Sequence, residues 1–122
     1  MPRVFLSCGD ATFCKALHNS FEEDDDFVVC GVAEDSVAAI KKALELIPDL
    51  VVLETTMRSK DGLRVAEAIK VVLPETPLFL VTKSPSMEAE KDALSRGIDA
   101  VFEKNGDLTP LMRNARAVCG LE

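Results

Sequence analysis

The sequence predicts an α/β fold, a three-layer α/β/α domain built on a doubly wound, five-stranded parallel sheet in the order 2-1-3-4-5. Three observations predict it. Five short apolar runs, at residues 4–6, 27–32, 50–53, 78–81 and 100–102, are nearly continuous rather than alternating, as strands buried on both faces are. Each is followed by a stretch in which apolar residues recur three or four apart, one stripe of a helix lying on a sheet. The 122 residues suffice for one such domain and bury a core without a disulfide or structural metal. Right-handed crossovers then leave few topologies.

Taken in order, Val4, Phe5 and Leu6 form the first strand, and a cap within residues 10–12 starts a helix whose stripe is Phe13, Leu17 and Phe21. The run Glu22-Glu23-Asp24-Asp25-Asp26 is read as a solvated loop, since contiguous carboxylates lack the alternating spacing of a calcium loop. The second strand leads to a helix expected to face the sheet with Val37, Ile40, Leu44 and Ile47, closed by Pro48. The third strand is followed by Val65, Ile69 and Val72, with Pro74 beyond. After the fourth strand the pattern is weakest: Met87, Lys91 and Leu94 share a face only half apolar, so this helix is expected to be the least anchored and most mobile. Gly97 suits a left-handed cap before the fifth strand. Asp107 or Thr109 with Pro110 opens the last helix, whose stripe is Leu108, Leu111, Met112, Ala115 and Val118. One domain over residues 1–120 accounts for the pattern, and Leu121-Glu122 is read as a vector-derived tail.

Composition narrows the function. A formal charge of −7 argues against gripping nucleic acid, which requires a basic face. No apolar run approaches the roughly 20 residues that cross a bilayer, and MPRVFLSCGD has no signal-peptide pattern, so a cytoplasmic location is expected. Cys8, Cys14, Cys30 and Cys119 form no CxxC, and His18 is the lone histidine, which argues against zinc. They are expected to be reduced thiols packed as small hydrophobes, although a Cys14–Cys119 pair is conceivable because the first and last helices are neighbours in this fold.

The functional crevice of a doubly wound sheet lies at the carboxyl ends of its strands, where the strand order reverses. The chain offers there a carboxylate after strand 3, Glu54, a hydroxyl after strand 4, Thr82, and a cation after strand 5, Lys104. Such a trio suits an anion or phosphoryl site, and equally a surface ion pair beside a capping threonine.

A resemblance sharpens this. PDLVVLETTMRSKDGL (residues 48–63) resembles the strand-3 signature PDxxxxDxxMPxxDG of response-regulator receivers, of CheY-like (flavodoxin-like) fold. RVFLSCGDATFCKAL (residues 3–17) is similar to their opening strand and helix, and Thr82 and Lys104 fall where they keep a hydroxyl and a lysine. The likeness covers nearly the whole chain and is greatest to receivers that precede helix-turn-helix DNA-binding domains.

The resemblance implies two-component phosphorelay signalling, in which acidic residues after strand 1 hold Mg²⁺ and an aspartate after strand 3 takes a phosphoryl group. This chain departs from that pattern. Cys8 and Gly9 stand at the acidic pair, with Asp10 one position late, and Glu54 replaces the phospho-acceptor. Magnesium demands oxygen ligands in a near-octahedral shell, so its binding is expected to be weak or absent. The extra methylene of Glu54 displaces its carboxylate by about 1 Å, enough to cost ~10²-fold in rate. One carboxylate facing Lys104 would leave a near-neutral site, with Glu54 imitating part of a phosphorylated state; drift to an incidental ion pair is the equal alternative. Arg58 and Lys83 replace small or proline residues and are candidates to occupy the cation's place. The switch aromatic corresponds to Val101, while Phe102 should point to the other side of the strand.

The expected function is therefore that of a pseudo-receiver: a phosphorylation-independent protein-interaction module, not an enzyme, using its fourth helix, fifth strand and fifth helix. Its partner would be a second copy, a histidine kinase or an effector domain. Two alternatives stand beside it: an ordinary receiver phosphorylated at Glu54 with Asp10 aiding Mg²⁺, and a small redox or flavin-binding protein of the same fold. The latter lacks Trp and Tyr to sandwich a flavin and has only Thr12 in its first loop. Cys8, in the crevice, is either a redox-sensing thiol or a small residue closing a buried strand.

Overall fold

The computed structural model describes residues 1–55, 62–83 and 85–121. Five strands alternate with five helices: β1 (Arg3–Ser7), α1 (Ala11–Glu23), β2 (Val28–Ala33), α2 (Ser36–Leu46), β3 (Leu50–Glu54), α3 (Gly62–Val72), β4 (Leu78–Thr82), α4 (Met87–Ser95), β5 (Ala100–Glu103) and α5 (Thr109–Val118). The strands form one sheet in the order β2-β1-β3-β4-β5, and every pairing is parallel, as the apolar runs require.

Strand pleating divides the core in two. Phe5, Val51, Leu53 and Leu80 face α2, α3 and α4, packing on Ala39, Ala43, Val65, Ile69 and Ala93. Val4, Leu6, Val52, Phe79 and Val81 face α1 and α5, packing on Phe13, Leu17, Phe21, Leu111 and Ala115. The pairings Ser7↔Leu53, Glu54↔Val81 and Thr82↔Glu103 bring the carboxyl ends of β1, β3, β4 and β5 to one rim.

Several local expectations are corrected. α2 turns a different face to the sheet: Ser36, Ala39 and Ala43 are buried, whereas Val37 is 70% and Ile47 64% exposed. Small residues let this helix lie close. A Cβ on Gly31 of β2 would come within 2.7 Å of Leu46, so glycine there admits the α2 leucine. In the acidic run, Arg116 of α5 donates to both carboxylate oxygens of Asp24, at 2.9 and 2.7 Å, and to Asp26 at 3.0 Å. That run is a clasp between the end of α1 and the last helix rather than a free loop.

The caps follow local chemistry. Asp10 and Asp35 accept from Phe13 N–H and Ala38 N–H at the starts of α1 and α2. Gly97 takes φ +94°, as its place after α4 anticipates. Leu108 stands at the N-cap of α5 and offers no side-chain cap; Asp107 instead accepts from Thr109 N–H at 3.0 Å, with Pro110 in the first turn. α4 buries only Ala93. Among the described residues, no helix is long and apolar enough to cross a membrane.

Candidate functional site

Three loops converge at the rim. Glu54, the last residue of β3, is 0% exposed, an unusual place for a carboxylate that hydrogen bonds must offset. Its Oε1 accepts from the backbone N–H of Gly9 at 3.1 Å and of Asp10 at 3.3 Å, in the turn that leads into α1. Its Oε2 lies 3.5 Å from Lys104 Nζ. Backbone amides just ahead of a helix are natural anion donors, so the turn is suited to this carboxylate.

Lys104 follows β5, held there by its N–H donating to Thr82 O at 2.9 Å. Its side chain is 15% exposed and its shortest contact is to Asp10 Oδ2, at 2.6 Å. The ammonium also sits 5.3 Å from the Phe13 ring centroid. Burial works against the charged lysine, but the hydrogen bond to Asp10 and the charge of Glu54 outweigh it and push its pKa up. The same Lys104 contact, aided by the Phe13 N–H, holds the Asp10 carboxyl below its ordinary value.

Asp10 is the residue that linear alignment undervalues. It stands one position late in the acidic-pair register, yet as the N-cap of α1 it swings its carboxylate over the rim and onto Lys104. Two carboxylates, not one, therefore share the lysine, and the trio carries one negative charge instead of being near neutral. Thr82 reaches the rim with its hydroxyl accepting from Thr55 Oγ1 at 3.2 Å. Thr55, which follows Glu54 in the strand-3 signature, is thereby brought to the rim as well.

The expectation of four reduced thiols is overturned. Cys8 and Cys14 form a disulfide across the β1–α1 turn, with Cα atoms 5.8 Å apart, while Cys30 and Cys119 are free. The reason is the Asp10 cap: the chain reverses there, and the first turn of α1 returns Cys14 to the end of β1. Cys119 is thus not the partner of Cys14. Burial raises the pKa of both free thiols.

Val101 lies beside α4, and Phe102 points to the opposite layer, its ring 5.1 Å from that of Phe79. Val101 and Thr82 line a cavity of about 220 Å³ together with Thr55, Leu63, Leu80 and Ala93. Lys83 is exposed, and Arg58 lies outside the described residues.

The described residues do not fit a magnesium ion. The Cys8 sulfur is bonded to Cys14, Gly9 has no side chain, and the oxygens of Asp10 and Glu54 already meet Lys104 or backbone amides. Among the described residues, no three His, Cys, Asp or Glu side chains are arranged to hold a metal.

Comparison with known proteins agrees with this architecture. The chain is 31% identical over 92 residues to the chemotaxis protein CheY of Listeria monocytogenes, covering 75% of this chain and 77% of that one. It is 32% identical over 122 residues to a protein-glutamate methylesterase/protein-glutamine glutaminase of Methanospirillum hungatei, covering 89% of this chain but 36% of that enzyme. The response regulator domain of Thermotoga maritima CheB superposes with a TM-score of 0.87 at 22% identity, covering 100% of this chain and 98% of that one. A chain of the CheX–CheY–BeF₃–Mg²⁺ complex of Borrelia burgdorferi gives 0.87 at 19% identity, over 96% of this chain and 88% of that one. The profile of the response regulator receiver domain matches residues 9–116, and with the strand order and the rim in place the chain belongs to that family.

Proposed function

We propose that this receiver domain of two-component signalling is a pseudo-receiver that works without phosphoryl transfer and acts as a protein-interaction module. One observation carries the reading: the Glu54 carboxylate is buried, with one oxygen on the Gly9 and Asp10 amides and the other facing Lys104. A nucleophile must be reachable, and transfer of a phosphoryl group needs a cation to neutralise developing charge. Here the acid is enclosed and a lysine stands where charge must be balanced. Glu54 and Lys104 then hold the rim in a single state, and Mg²⁺ binds weakly or not at all.

The interaction surface is the α4–β5–α5 face, by likeness to the family's usual output face. Its partner is a cytoplasmic protein: a histidine kinase, an effector domain such as a helix-turn-helix module, or a second copy forming a homodimer. A second reading, phosphorylation at Glu54 with Asp10 aiding Mg²⁺, is favoured by the arrival of the Asp10 carboxylate at the rim. Titration with acetyl phosphate or beryllium fluoride plus Mg²⁺, followed by amide NMR, separates the two. The pseudo-receiver shows no saturable change; saturable shifts at Glu54, Thr55 and Thr82 overturn it.

A further inference from the structure

We infer that Cys8 and Cys14 are a reversible redox couple whose state sets how tightly the β1–α1 turn holds Glu54. The disulfide closes a loop of sequence separation 6. Inside that loop lie Gly9 and Asp10, whose amides both donate to Glu54 Oε1, and whose aspartate also caps α1 and pairs with Lys104. No other covalent link among the described residues touches the rim, and this one brackets the very donors that keep a carboxylate buried. Closing so short a loop restricts the turn to conformations near the one that points both amides at Glu54. Opening it leaves the turn held by noncovalent contacts alone.

Exposure suits exchange chemistry. Cys8 is 1% exposed, whereas Cys14 is only half-buried in the first turn of α1. The co-reactant is a thiol of the glutathione kind, two for each disulfide opened. The thiolate of one attacks Cys14 Sγ, forming a mixed disulfide and breaking the bond to Cys8, which leaves as a thiolate and takes up a proton. The thiolate of the second then displaces Cys14. Two electrons and two protons pass to the protein, and the two reductant thiols depart joined as their own disulfide. A disulfide on a protein kept among reducing thiols is typically of this transient, sensing kind.

The test uses protein carrying Cys30→Ser and Cys119→Ser, so that one pair alone reacts. It is equilibrated in glutathione buffers of graded oxidised-to-reduced ratio, without Mg²⁺ or phosphoryl donor. That choice separates it from the phosphorylation question: failure of either idea leaves the other standing. Alkylation with mass analysis reads the pair, and amide NMR reads the turn. The expected result is a two-electron transition inside the glutathione range, with exchange of the Gly9 and Asp10 amides accelerated about tenfold on reduction while the β4 amides are unmoved. Cys14→Ser, a small change at a half-buried site, should show the fast exchange at every ratio. A pair that stays closed in fully reduced glutathione is a fixed brace, and one that never closes is no couple. Either result overturns the inference, as does a transition, or a Cys14→Ser variant, that leaves the Gly9 and Asp10 amides slow.

Discussion

At the scale of single residues, the rim is governed by a buried negative charge. Glu54 has no exposed surface, so removing its cation costs more than removing the charge itself. Lys104→Met should destabilise the fold by about 3 kcal/mol, because the buried Glu54 carboxylate loses the lysine cation that faces it. Glu54→Gln, which still accepts from the two amides, should cost only about 1 kcal/mol. Urea unfolding of both variants tests the order; equal losses would contradict it. Asp10 and Lys104 also set the pH response. The folded carboxyl of Asp10 titrates below its ordinary value of 3.8, so its contribution is complete above that value and is lost as pH falls through the lowered one. Lys104 titrates above 10.5, so its contribution is complete below that value and is lost as pH rises through the raised one. Asp10→Asn keeps a capping side chain without the charge. It should flatten the acid limb of a stability-against-pH curve and leave helix content intact by circular dichroism.

Elements were legible in proportion to how much their pattern depends on burial alone. Strands enclosed by helices must be continuously apolar, and all five were placed within a residue or two of their ends. Helical period told where α2 runs but not which side faces inward, because Ala39 and Ala43 provide close approach while larger Val37 and Ile47 lie outside. Close approach also governs the start of α3, where a Cβ on Gly62 would lie 2.9 Å from the Thr55 backbone. Gly62→Ala should therefore cost about 1–3 kcal/mol and shift the NMR signals of Thr55 and Thr82, since the contact is to main chain that cannot step aside. α4, with Ala93 its only buried residue, has the weakest anchorage and is proposed as the most mobile helix. Hydrogen exchange should find its amides faster than those of α1, α3 and α5; protection equal to theirs would refute this.

For the whole molecule, fold class and topology followed from order and period, whereas the site depended on turns. The register of Cys8, Gly9 and Glu54 was readable, but no linear spacing shows that an N-cap carries Asp10 onto Lys104 or that one helical turn returns Cys14 to Cys8. Side-chain direction at a chain reversal is a three-dimensional property that linear spacing does not carry. A bulk measurement tests the rim as a unit. A ligand that prefers the native state raises its stability by RT ln(1 + [L]/Kd), so ions that do not bind leave the melting temperature still. Adding millimolar Mg²⁺, or removing divalent ions with chelator, should leave Tm unchanged; a rise that saturates with Mg²⁺ would show a site the present donors do not provide.

Arg116, through its hold on Asp24 and Asp26, ties together stretches of chain 92 and 90 positions apart. Whatever docks on the last helix therefore meets a surface joined directly to the end of the first, whose opposite tip carries Asp10. The two helices share this polar tie in addition to the sheet face they both cover.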